Sequence, residues 1–256
     1  MNQMSEKLIL ISNDDGFFSK GIALLADVMQ RLGRIVVVAP KSQMSGQSHS
    51  ITVVRPISFK QEMDMPFECY SVDGTPVDCV KLGLHRILTK KPDLIVAGVN
   101  HGCNASINTI YSGTMAATFA GCEAGIPSVG FSIDSDSKQE CLDYIGDTIY
   151  RIAKSVLTNG LESGICLNVN FPVGQSRGIK VCHQANAFWE ENFVEKGDEE
   201  GEKFYWLNGE CHLRETSPQA DLIALHNGYT TITPMHTDFT AHHLLKTYAQ
   251  RFETQN

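Results

Sequence analysis

Residues 8–16 read LILISNDDG, an apolar run that stops abruptly at two adjacent carboxylates and a glycine. An unbroken apolar run of this length, closed by a turn signal, predicts a buried parallel strand. Asp14 and Asp15 then fall in the loop at its carboxyl end, the edge where open α/β sheets bind ligands. Two carboxylates crowded at one strand end repel each other unless a cation, a shared proton or a donor-rich partner relieves them, so the pair reads as a hard-cation site. The competing reading is that Asn13 or Asp14 caps the following helix, a position that Asx residues favour.

Working outward, Ile22, Leu25, Ala26 and Met29 recur at helical spacing with Gly33 behind them, and residues 35–39 supply a second buried strand. Together these form a βαβ unit with the two strands side by side. Residues 40–50, PKSQMSGQSHS, have no apolar period and predict a loop beside Asp14 and Asp15. Residues 51–71 alternate short apolar and polar stretches around Pro56 and Pro66, which predicts a small antiparallel excursion. Thr75 then serves as N-cap and Pro76 as first residue of a helix with Val77, Val80, Lys81, Leu84 and Leu88 on one face. Residues 93–99 give a third buried strand, followed by the polar loop from Asn100 to Asn104. A helix rich in small residues spans 112–124, a strand 128–133, and the longest helical period 139–157. Further strands are expected at 165–169, 179–181 and 229–233, and a last helix at 240–252.

This pattern predicts an α/β fold built on parallel strands. Residues 1–160 are expected to form the core that carries the site. Residues 161–256 are expected to add strands and a helix, applied to that core or to the core of a neighbouring subunit. At 256 residues with 42% hydrophobic content the chain is long enough for such a core. Its eight cysteines never approach zinc-site spacing and read as reduced, mostly buried thiols. No apolar stretch reaches ~18 residues and the first residues lack a secretory pattern, so a cytoplasmic protein without a membrane span is expected. The net charge of −8 disfavours a nucleic-acid polymer as partner, because phosphate backbones are bound through clustered Lys and Arg.

Three predicted loops converge: Asp14 and Asp15 after the first strand, Ser45 after the second, Asn100 and Asn104 after the third. Carboxylates, a hydroxyl and a carboxamide are hard oxygen ligands, the set expected for Mg²⁺, Mn²⁺ or Ca²⁺ and not for zinc. Ser112, Gly113 and Thr114 place two hydroxyls and a small residue at a helix N-terminus, where free amides and the helix dipole favour an anion, with phosphate the natural candidate. For Ser112 alone, an ordinary N-cap is the simpler reading. His49 and His101 stand in these loops and could contact phosphate, but a polar loop histidine is more often a structural hydrogen-bonding residue. Trp189, Phe193, Phe204, Tyr205 and Trp206 could stack on a base, although aromatics in an irregular appendage more often pack an interface.

The motifs Ser12-Asn13-Asp14-Asp15-Gly16, Val38-Ala39-Pro40, SGQSHSIT from Ser45, GTPVDCV from Gly74, Gly98-Val99-Asn100-His101-Gly102, Ile110-Tyr111-Ser112-Gly113-Thr114 and Ile232-Thr233-Pro234 stand in an order and spacing that resembles the SurE family. These are metal-dependent acid phosphatases acting as nucleotidases. The resemblance implies a Rossmann-like three-layer α/β/α sandwich as the N-terminal domain and a C-terminal part exchanged within a homodimer or homotetramer. It also implies Asp14, Asp15, Ser45 and Asn100 as ligands of one divalent cation per subunit, the set the loops had suggested. The expected activity is that of a 5'-nucleotidase on nucleoside monophosphates, with 3'-nucleotides and polyphosphate as further candidate substrates. Asp14 and Asp15 are the candidate catalytic residues, and Asn104, Ser112, Gly113 and Thr114 the candidate phosphate contacts. A nucleotide-sensing module that binds without turnover is the alternative. The chain departs from the family's usual pattern at Lys20, where a proline is common, and at Ile107 and Asn108, where two acidic residues are common.

Overall fold

The computed structural model describes residues 6–135, 142–199 and 201–253. Its centre is the strand β1, Leu8–Ser12, all five residues of which are buried. β1 lies parallel to β2, Arg34–Pro40, on one side and to β5, Leu94–His101, on the other. The successive side chains of β1 point to opposite faces, and each face has its own core. Ile9 and Ile11 pack with α1, Lys20–Gln30, and α4, Gly146–Asn159. Leu8 and Leu10 pack with α2, Pro76–Leu82, and α3, Gly113–Glu123. The result is the expected α/β/α arrangement.

The sheet widens with β3, Phe59–Gln61, and β4, Cys69–Val72, on one flank. On the other flank stand β6, Ser128–Ile133, and β7, Ile165–Phe171, then β8, Ile179–Val181, and β11, Thr230–His236. The order is β3-β4-β2-β1-β5-β6-β7-β11-β8. The excursion expected at 51–71 is thus part of the main sheet: β3 pairs antiparallel with β4, but β4 pairs parallel with β2. Three strands from beyond residue 160 lengthen the same sheet, with β11 antiparallel to β7. β9, Ala187–Glu199, and β10, Glu202–Leu213, pair only with each other as a long antiparallel hairpin.

Side-chain caps set the starts of α1, α2 and α3. α1 starts at Ser19, whose hydroxyl accepts from the amide of Ile22, so neither Asn13 nor Asp14 is its cap. Asn13 instead closes the loop, donating from Nδ2 to the Gly16 carbonyl and to Ser19 Oγ. The helix expected through Leu88 leaves α-geometry after Leu82, in a wider turn over Gly83–Ile87, yet Leu84 and Leu88 still pack on the core. Residues 139–141 of the expected long helix lie outside the described residues, as does Cys141; α4 itself begins at Gly146. The other seven cysteines are in no disulfide. The last helix is shorter than expected: α6 covers Leu245–Phe252 and buries no residue. The sequence pattern did not reveal α5, Asp221–His226. No helix among the described residues is long and apolar enough to cross a membrane.

Thr75 caps α2 as expected and completes a reciprocal box with Asp78, a buried residue. Asp78 Oδ2 accepts from the Thr75 amide at 2.9 Å and from Thr52 Oγ1 at 2.6 Å, while Oδ1 accepts from the Thr52 amide at 3.0 Å. Burial alone would raise its pKa, but these bonds outweigh burial and hold the carboxyl below the ordinary aspartate value. A depressed folded-state pKa stabilises above the unfolded value and is lost as pH falls through the folded one. Asp78→Ala is therefore expected to lower stability by roughly 2–3 kcal/mol at pH 7. Urea denaturation should show that gap narrowing below about pH 4.

Candidate active site

The three expected loops do meet, at the carboxyl ends of β1, β2 and β5. Asp14, Ser45, Asn100, Asn104 and Ser112 border one cleft of about 730 Å³. The loop after β2 is tied to the first: the Met44 amide donates to the Asp14 carbonyl at 2.7 Å. Gln43 Nε2 bridges Ser45 Oγ at 2.8 Å and Asp15 Oδ1 at 3.5 Å. Gly16 turns the chain at φ +95°, a conformation that glycine adopts without steric cost. Asn100 Nδ2 donates to the Gly102 carbonyl at 2.7 Å, which commits its nitrogen and leaves Oδ1 as the atom suited to a cation.

Asp14 is buried, and burial pushes its pKa up to about 6 even though Thr114 Oγ1 donates to its Oδ1 at 2.6 Å. The neighbouring Asp15 adds to that rise. Asp15 borders an adjoining hollow with Phe18, Lys20 and His101, and His101 borders both spaces. Asp15 Oδ2 is buried with no hydrogen-bond partner and lies 3.8 Å from His101 Nδ1; His101 Nε2 is likewise buried and unpartnered. An orphaned carboxylate oxygen beside a carboxylate that resists ionisation is a local deficit of positive charge. With Ser45 and Asn100 the donors are all oxygen, a set that fits Mg²⁺, Mn²⁺ or Ca²⁺.

The expected phosphate contacts separate into two groups. Ser112 caps α3, accepting from the Met115 amide at 3.1 Å, and still borders the cleft. Gly113 and Thr114 stand behind it, both buried against Asp14. Asn104 borders the cleft but donates from Nδ2 to Ser132 Oγ at 2.7 Å. His49 does not border the cleft; it borders a separate hollow and packs on the Phe119 ring with centroids 5.3 Å apart.

Sequence reasoning missed the support beneath the third loop. The Asn104 amide donates to Asn170 Oδ1, Asn170 Nδ2 to Asn168 Oδ1, and Asn168 Nδ2 to the Asn104 carbonyl. Thr109 Oγ1 donates to that carbonyl too. Behind them the buried Asp221 accepts from the amides of Ser106, Ala185 and Leu222. The alternation of Asn168 and Asn170 in an otherwise apolar strand was the available signal, since buried polar groups require partners. Trp189, Glu191 and Asn208 of the hairpin also border the cleft.

Gly113 tests how tightly α3 presses on the carboxylate. A Cβ there would lie 2.7 Å from Asp14 Cβ and 2.9 Å from its Oδ2. Gly→Ala in a helix normally stabilises by about 1 kcal/mol. Here Gly113→Ala should instead destabilise by about 1–3 kcal/mol, read as a fall in the denaturation midpoint.

The chain is similar to known proteins over most of its length. The family model described as "Survival protein SurE" matches residues 9–191. The 5'-nucleotidase SurE of Cytophaga hutchinsonii is 44% identical over 247 residues, which cover 94% of this chain and 95% of that protein. The 5'-nucleotidase SurE of Bacteroides fragilis is 43% identical over 241 residues, 93% and 94% of the two chains. The crystal structure of the SurE protein from Aquifex aeolicus superposes with a TM-score of 0.81 at 37% identity, covering 95% of this chain and 99% of that one. With its β1 carboxylates, its converging loops and these full-length likenesses, the chain belongs to the SurE family.

Proposed function

We infer that this protein is a 5'-nucleotidase, a phosphoric monoester hydrolase that releases nucleoside and phosphate from nucleoside monophosphates. The observation that carries this reading is the convergence of Asp14, Ser45, Asn100 and Ser112 on one cleft, with the unpartnered Asp15 oxygen beside it. Relatives named 5'-nucleotidase SurE, more than 40% identical over nearly the full chain, support it. Substrates with a 3'-phosphate, and polyphosphate, in which a terminal phosphoanhydride bond is cut instead of an ester, are second candidates. A homodimer or homotetramer in the cytoplasm is the assembly and location we assign.

Asp14, Asp15, Ser45 and Asn100 would hold one divalent cation, Mg²⁺ or Mn²⁺ before Ca²⁺. When bound, it supplies charge neutralisation at the phosphoryl group. The chain's own residues do the rest. Ser112 and the first turn of α3 aim the positive end of a helix dipole at the phosphate oxygens. Asn104, fixed by Ser132 and Asn170, offers a rigid polar wall. Thr114 acts through Asp14, keeping that carboxylate oriented by its 2.6 Å bond. Asp14 or Asp15 is the group placed to take a proton from the attacking water or to attack phosphorus itself.

Chelation should abolish release of phosphate from AMP, and added Mg²⁺ or Mn²⁺ should restore it. Full turnover in excess chelator would overturn the metal assignment, and nucleotide binding with no turnover under any metal would favour a sensor. Asp14→Asn and Asp15→Asn should each remove most turnover while leaving thermal stability equal or higher, because each relieves the mutual repulsion of the pair. Near-normal kcat at saturating metal in either variant would remove that residue from the site.

A further inference from the structure

The cleft is larger than a phosphoryl group needs. Its volume of about 730 Å³ lies in the range of pockets that enclose a whole small molecule. One wall belongs to the β9–β10 hairpin. Of Trp189, Phe193, Phe204, Tyr205 and Trp206, Trp189 alone borders the cleft, while Phe193, Tyr205 and Trp206 are each at least half exposed. The indole is also fixed in place. Trp189 Nε1 donates to Asn108 Oδ1 at 2.8 Å, and Asn108 Nδ2 donates to the Cys103 carbonyl at 3.3 Å. A carboxylate at 108 could accept from the indole but offers that carbonyl no donor. Asn108 therefore links the hairpin to the loop that follows β5. Glu191 and Asn208 bring a carboxylate and a carboxamide to the same wall. These groups can accept from an exocyclic amine and pair with ring nitrogens.

We propose that Trp189, braced by Asn108, is the face on which the base of a purine nucleotide stacks, with Glu191 and Asn208 at the edge of that base. The proposal rests on the nucleotidase reading and extends it from the phosphate to the base. A purine is favoured over a pyrimidine because its two fused rings cover more of the indole. Stacking of this kind changes affinity by roughly 5- to 150-fold when the aromatic is cut to alanine.

The chain has two tryptophans, 189 and 206, so Trp206→Phe leaves Trp189 as its one indole reporter. Adenosine, which carries no phosphate, should quench that fluorescence saturably in the metal-free protein. Cytidine should do so more weakly, and ribose 5-phosphate not at all. No saturable response to adenosine, or an equal response to ribose 5-phosphate, would overturn the stacking face; equal affinity for cytidine would overturn the purine preference. In parallel, Trp189→Ala should lower kcat/KM for AMP by roughly 5- to 150-fold, mainly through KM. It should leave ribose 5-phosphate within about twofold, and Trp189→Phe should recover most of the loss. Equal losses on both substrates would mean that Trp189 merely shapes the cleft, which overturns the proposal. Should the wild type hydrolyse neither substrate, the nucleotidase reading fails by itself, while the fluorescence titration still decides the base subsite.

Discussion

Asp14 is a buried carboxylate, and the surrounding structure is arranged to tolerate it. Its strand, flanked by two parallel neighbours, leaves it at their carboxyl ends, where side chains from three loops reach the same space. Thr114 is its side-chain donor among the described residues, and α3 comes close enough to supply it because Gly113 has no Cβ. That hydroxyl, together with backbone hydrogen bonds at Asp14 and Thr114, does not cancel the cost of burial, so the carboxyl stays hard to ionise. The remaining deficit, shared with Asp15, is what a divalent cation would fill.

This constraint explains why α3 is almost featureless in sequence. Ten of its eleven residues are buried, from Gly113 to Cys122, and most are small. Where α3 packs over β1 and β5 its contacts are Ala116, Ala117 and Ala120, and its buried Met115 lies over Gly130, which has no Cβ to meet it. The same helix delivers Ser112 to the cleft while using its hydroxyl as a cap. Capping and exposure to the cleft are therefore properties of one residue and not rival assignments.

The far part of the chain reaches the site by two routes. Strand β7 contributes Asn168 and Asn170, which hold the loop from Asn104 to Thr109 through side-chain to backbone bonds. The hairpin contributes Trp189 through Asn108. A fully satisfied buried polar network rigidifies what it touches. The loop after β5 is thus held from below by the sheet and from outside by the hairpin, a rigid mount for groups that must face a substrate.

The sequence alone determined β1, β2, β5 and β6, the first helix, the Thr75 cap and the convergence of Asp14, Ser45 and Asn100, because each rests on local signals. An apolar run closed by Asp-Asp-Gly, a period of 3.6 and a Thr-Pro start are written within a few residues. Tertiary structure alone decided that β4 joins the main sheet, that β7, β8 and β11 continue it, and that Thr114 serves Asp14 across one hundred positions. It also decided which of the five hairpin aromatics borders the cleft. Strand pairing and side-chain partnership depend on which surfaces meet in space, and residues 64 to 115 positions apart carry no local pattern that records their contact. Only packing chooses among the partners that composition allows.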